Sequence, residues 1–199
     1  MSRPGGEGTS MAGYCWVDVL LATAIAALVS AMAVPLTARS VDTLRARDAA
    51  GFITTRIRGA RQQAVASGQG VALVFDESEG GWAVRVCQDG NGNGVRRAEI
   101  DSGRDVCPEG PWRLFELFPT VTVGRDPSVP GLDDEPGDSE AVRFGRAAMI
   151  SCAPSGGCTA GTVFVRSGAG EQFAVRVSGV AGRTRLLRFD RGIGLWGPV

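Results

Sequence analysis

The sequence has no histidine and no lysine among its 199 residues, so all 21 basic side chains are arginines. Without an imidazole there is no Ser/His or Cys/His nucleophile pair and no histidine-ligated metal site, which removes most common catalytic layouts. Enzymes built on carboxylates stay open. Aromatic residues are sparse at 7%, with a single tyrosine, while the 44% apolar content is ordinary for a globular chain of one or two domains.

Net charge is absent too, because 21 acids cancel the 21 arginines. Counted by segment, the balance is −1 over residues 1–38, +4 over 39–75, −9 over 76–140 and +6 over 141–199. An acidic middle therefore lies between two basic regions, and the total says little about partners. Charge is missing altogether from residues 19–38, inside an apolar run Tyr14–Ala38 whose one charged side chain is Asp18. A twenty-residue uncharged helix is about 30 Å long, enough to span a bilayer core.

Three readings compete for this run. A signal peptide would use Ala31-Met32-Ala33 as its small-residue cleavage site, but the run is too long for its apolar region and Asp18 stands at its start. A plain single-pass anchor fits the length and leaves the small-residue leader and the lone acid unexplained. The third reading takes Gly13, aromatic Tyr14, a carboxylate four residues on at Asp18, and Pro35 at the twenty-second position from Tyr14. This spacing resembles the N-terminus of type IV pilins and type II secretion pseudopilins. Asp stands where that family has Glu, the leader carries only Arg3 as a basic residue, and Cys15 and Trp16 replace the usual Thr and Leu. The resemblance implies cleavage after Gly13 by a prepilin peptidase and N-methylation of Tyr14. It further implies pairing of Asp18 with a neighbouring subunit's amino terminus to set filament register.

Helical periodicity continues beyond Pro35. Val41, Leu44, Phe52, Ile53, Ile57, Ala60, Ala64 and Val65 recur largely at three- and four-residue steps, with arginines between them and Gly68 as a C-terminal cap. After Gly70 the period falls to two, and strands are predicted at 71–75, 82–86, 113–118, 141–144, 162–165, 172–177 and 183–189. Short strands with tight turns imply an antiparallel sheet, so the expected class is α+β: a long helix packed on a C-terminal antiparallel sheet. The closing strands, from Gly161 through Phe173–Val177 to Gly182-Arg183-Thr-Arg-Leu, look like the C-terminal hairpins of the GspH/FimT group of minor pseudopilins. Cys87 and Cys107 flank a polar loop and Cys152 and Cys158 flank a Pro-Ser-Gly-Gly turn, which reads as two local disulfides in an oxidising compartment. A zinc site is the competing use of the four, and it lacks both a CxxC pair and histidine.

Two further segments are candidate binding sites. Asp89-Gly-Asn-Gly-Asn-Gly94 resembles the start of a calcium loop, with oxygen ligands at Asp89, Asn91 and Asn93; Arg97 occupies the ninth position and Ile100 the twelfth, where a glutamate belongs. The alternative is a turn rich in Gly and Asn. Arg183, Arg185 and Arg188, with Arg166, Arg176 and Arg191, could form a basic face. Some FimT-group members bind DNA during natural transformation, so the resemblance offers DNA capture against a solvated sheet face paired with the acidic 126–140 loop. Asp133, Asp134 and Glu135 lack an apolar pocket, which argues against enzymatic use.

The expected organisation is a leader at 1–13, a transmembrane and filament-core helix at 14–38, an amphipathic extension at 39–68 and a periplasmic β-rich domain at 69–199. The expected role is a non-enzymatic minor subunit of a type II secretion pseudopilus or type IV pilus. Its partners would be other subunits, the prepilin peptidase and the inner-membrane assembly platform; its location would be single-pass in a bacterial inner membrane with the N-terminus cytoplasmic. The alternative role is a DNA-binding minor pilin. No cofactor is expected beyond the calcium option. Arg39, Arg45 and Arg47 against Arg3 would by the positive-inside rule place the globular domain in the cytoplasm, and the paired cysteines and processing motif weigh the other way.

Overall fold

Helix α1 (Trp16–Ser67) opens the computed structural model, which describes residues 16–132, 141–145 and 147–199, without the side chains of 32–36. Gly13, Tyr14, Cys15 and the acids Asp133, Asp134 and Glu135 therefore lie outside the described residues, as does the side chain of Pro35. The chain divides into two compact units, one ending at Ala38 and one spanning Arg39–Val199. Among the described residues no helix is long and apolar enough to cross a membrane.

In the second unit α1 presents a face of small residues. Ala46, Ala49, Ala50, Ile53, Ile57, Ala60 and Ala64 are all buried. The predicted stripe is corrected at three places, since Val41, Leu44 and Val65 are exposed. Alanine lacks the bulk that a hydrophobicity pattern registers, yet it lets a helix approach a sheet closely. The helix ends as expected: Gly68 adopts φ 69° and its N–H bonds to the Ala64 carbonyl.

Ten strands follow among the described residues: β1 (Val71–Ser78), β2 (Gly81–Gln88), β3 (Val106–Arg113), β4 (Thr122–Val123), β5 (Val142–Arg143), β6 (Met149–Cys152), β7 (Gly161–Arg166), β8 (Gln172–Ser178), β9 (Arg183–Asp190) and β10 (Leu195–Pro198). Two short helices, α2 (Arg97–Asp101) and α3 (Leu114–Leu117), interrupt them. The expected single sheet is in fact two antiparallel sheets, ordered β3-β2-β1-β6 and β10-β9-β8-β7-β4, with β5 also pairing β7. The fold class is α+β. The predicted strand 113–118 is wrong: the strand is β3 and ends at Arg113, and Leu114 turns inward at the start of α3. Leu114 is buried and Phe118, four residues on, packs on the core, while Glu116, which strand alternation would put on the same face, is exposed.

One core joins helix and both sheets: the alanine face meets Val71, Leu73, Phe75, Val84, Val86 and Ile150 of the first sheet, and Val163, Val165, Phe173, Val175 and Val177 of the second. A smaller cluster of Ala72, Val74, Cys87, Val95 and Met149 covers the first sheet's other face. Strand β1 is consequently buried on both sides. Replacing fully buried Ile53 by Ala is expected to cost about 2–5 kcal/mol. Leu44→Ala, at a site 54% exposed, should change stability by less than about 0.5 kcal/mol in the same urea-unfolding series.

Candidate functional site

The described part of the first unit is an unpartnered apolar helical surface. Trp16, Val17, Val19, Leu20, Leu21, Ile25, Leu28 and Val29 are all exposed. Two polar side chains in the same stretch are turned back onto the helix, the Thr23 hydroxyl donating to the Leu20 carbonyl (3.0 Å) and the Ser30 hydroxyl to the Ala26 carbonyl (2.7 Å). These bonds hide polar atoms from an apolar surrounding. Asp18 stands in the first turn of α1, where a carboxylate complements the helix dipole.

The cysteines pair as expected, Cys87 with Cys107 and Cys152 with Cys158, with S–S separations of 1.97 and 2.09 Å. The first bridge closes the base of the loop suggested for calcium. Inside it, Asp89 accepts the backbone N–H groups of Asn91 (3.0 Å), Gly92 (2.8 Å) and Gly94 (2.6 Å). The Asn91 and Asn93 side-chain amides donate to opposite oxygens of Glu99 (3.2 and 2.9 Å). Asp105 takes the N–H of Gly90 and of Arg96 (3.0 and 2.9 Å). Burial raises the Asp89 carboxyl, but the N–H groups of Asn91, Gly94, Gly92 and Asn93 outweigh it and hold it below the usual carboxylate range. Arg97, at the ninth position, reaches out of the loop to Asp76 and to the Phe75 and Ala147 carbonyls, pinning the loop over the first sheet. Among the described residues no group of three or more His, Cys, Asp or Glu is placed to hold a metal ion.

The arginines on the second sheet separate into two kinds. Arg188 is bound through two nitrogens to Glu171 (3.1 and 2.8 Å), and Arg191 bonds Asp126 (3.1 Å) and the Gly170 carbonyl (2.9 Å). Arg183 and Arg185 are exposed and form no ion pair with a carboxylate among the described residues. The missed members of this basic region are Arg58 and Arg61, which α1 brings beside Thr184 and Gly182 across more than a hundred residues of chain. Nothing in the sequence marks that meeting, because those arginines read equally well as the polar face of a helix.

No family model matches the chain, and no curated protein matches it. Among solved structures, the chain is similar to the minor pseudopilin EpsH from the type 2 secretion system of Vibrio cholerae, with 17% sequence identity and a TM-score of 0.42. That likeness covers 72% of this chain and 97% of the other.

Asp126 supplies a pH test of the described fold. Hydrogen bonds from the Ser128 hydroxyl and N–H, helped by Arg191 and opposed by partial burial, lower its carboxyl from 3.8 to about 2. A depressed carboxyl stabilises the fold above its unfolded value and loses that contribution as pH falls from 3.8 towards about 2. Asp126→Asn should flatten the unfolding midpoint across that window, leaving its slope elsewhere unchanged.

Proposed function

We propose that this chain is a minor pilin-like structural subunit of a type II secretion pseudopilus or type IV pilus, inserted and then assembled through the start of α1. The observation that carries the reading is the exposed apolar surface from Trp16 to Val29. Apolar surface left in water costs roughly 25 cal/mol per Å², so this stretch calls for lipid or a neighbouring helix as its cover. The turned-back hydroxyls of Thr23 and Ser30 suit either environment. The membrane part of the reading rests on the sequence run Tyr14–Ala38.

In this role the prepilin peptidase cuts after Gly13, Tyr14 becomes the N-methylated first residue, and Asp18 pairs with the amino terminus of an adjacent subunit. A carboxylate in an apolar surrounding is costly unless paired, which gives Asp18 its leverage over axial register. Pro35 completes the sequence spacing from Tyr14 on which this reading rests. The inner-membrane assembly platform and other subunits are the partners, the β-rich unit lies in the periplasm, and the role is not enzymatic. Calcium is kept outside this proposal, since the bonds of Asp89, Asn91 and Asn93 close the loop among its own groups.

A second reading, DNA capture, is favoured by Arg183 and Arg185, whose guanidiniums lack carboxylate partners among the described residues. Arg188 leaves that set because Glu171 holds it. Salt-sensitive retention of a duplex oligonucleotide by the full chain would support it, and no shift at low salt would end it.

Mass measurement on protein isolated from membranes tests the main reading. The expected chain begins at methylated Tyr14; one beginning at unmodified Met1 or at Val34 refutes it. Asp18→Ala should leave membrane insertion intact and abolish recovery of the subunit with its filament partners.

A further inference from the structure

Helix α1 and strand β9 place four arginines around one groove of ≈ 430 Å³, lined by Arg58, Arg61, Gly182, Arg183, Thr184 and Arg185 among others. Arg58 and Arg61 are three residues apart and so share a side of the helix. In β9, Thr184 lies opposite Val177, a core residue, and therefore faces the helix; Arg183 and Arg185 stand on the strand's other face. The strand edge between them is open, because β10 pairs only with Leu187–Asp190. Arginines thus flank one edge from two sides.

The groove is built rather than incidental. The Arg61 Nε donates to the Gly156 carbonyl at 2.8 Å, and Gly182 adopts φ 57° where a side-chain carbon would stand 2.7 Å from that Nε. An Arg58 nitrogen reaches the Thr184 carbonyl at 3.5 Å. None of the four forms an ion pair with a carboxylate among the described residues, although Arg188 and Arg191 just beyond them do. The Thr184 hydroxyl is buried without a partner. Four arginines without carboxylate partners among the described residues, set around one open groove, are a surface set up for an anion.

Charge and geometry select the kind of anion. A single carboxylate would leave three of the four charges uncompensated. An acidic strand adding to the edge has too little to grip, because the Leu186 carbonyl already accepts the Val199 N–H and the Thr184 carbonyl faces Arg58. A phosphate group carries about −1.5 to −2 charges and three strong acceptor oxygens that fit the guanidinium fork. Two linked phosphates come nearest to balancing four arginines. We infer that this groove is a binding site for a di- or oligophosphate anion. The inference does not depend on the filament reading, whose own readouts are the mature N-terminus and recovery with partners.

Calorimetric titration of the full chain in a neutral detergent, with inorganic pyrophosphate at low salt, tests it. Binding at one site per chain is expected, weakened on the order of tenfold by either Arg58→Gln or Arg185→Gln and lost in the double variant. Arg113→Gln, at an exposed arginine outside the groove, should leave it unchanged. Circular dichroism checks that each variant keeps its fold. Absence of pyrophosphate binding, equal weakening by Arg113→Gln, or equally tight binding of the dicarboxylate malonate would each overturn the assignment.

Discussion

The second unit depends on the core that α1 shares with its two sheets. From Ala46 to Ala64 the buried face of the helix holds five alanines and two isoleucines, and this thin surface meets inner-face residues of both sheets at once. Larger side chains in the alanine positions would hold the helix off and open gaps on either side, at a cost of about 1–3 kcal/mol per overpacked site. The two isoleucines, Ile53 and Ile57, are fully buried and supply the bulk on this face. Because β1 follows Gly68 directly, the helix terminus also fixes where the first sheet begins.

Arginine serves in several distinct capacities in this lysine-free chain. Arg56 lies over the Trp112 ring at 3.8 Å while bonding Glu109 at 3.2 Å, joining helix to β3. Arg97 clamps a loop over the first sheet, where it joins Arg85 on the shared carboxylate of Asp76. Arg188 and Arg191 bind acids that border the same sheet as Arg183 and Arg185, which have no acid partner among the described residues. A planar guanidinium with several donors can meet a ring, a carbonyl and a carboxylate in turn, which a lysine ammonium does less well. The charge partition along the chain is therefore partly consumed inside the fold, and only its remainder is available to partners.

The loop between Cys87 and Cys107 shows how a ligand motif and a structural turn converge on the same residues. Asp followed by Gly and Asn at alternate positions suits metal coordination because it offers oxygens from a tight turn. The same pattern lets a carboxylate gather the turn's own N–H groups, which Asp89 does. Arg97, at the ninth position, bonds outside the loop to Asp76 and to the Phe75 and Ala147 carbonyls.

Much of this protein was legible from periodicity and spacing. The helix-then-strands order, the helix stop at Gly68, both disulfide pairings and the strands at 71, 82, 162, 172 and 183 follow from local patterns that neighbours in sequence impose on one another. The short strands β4 and β6 were not legible, since each gains its identity from a partner strand far along the chain. The division into two sheets, the exposure of Val41 and Leu44, and the turn of Leu114 into the core were decided only by tertiary packing. So was the groove that joins Arg58 and Arg61 to Arg183 and Arg185. Sequence by itself determined which segments could bury an apolar face; the fold decided which faces met, because burial is a property of two surfaces and a single segment carries only one.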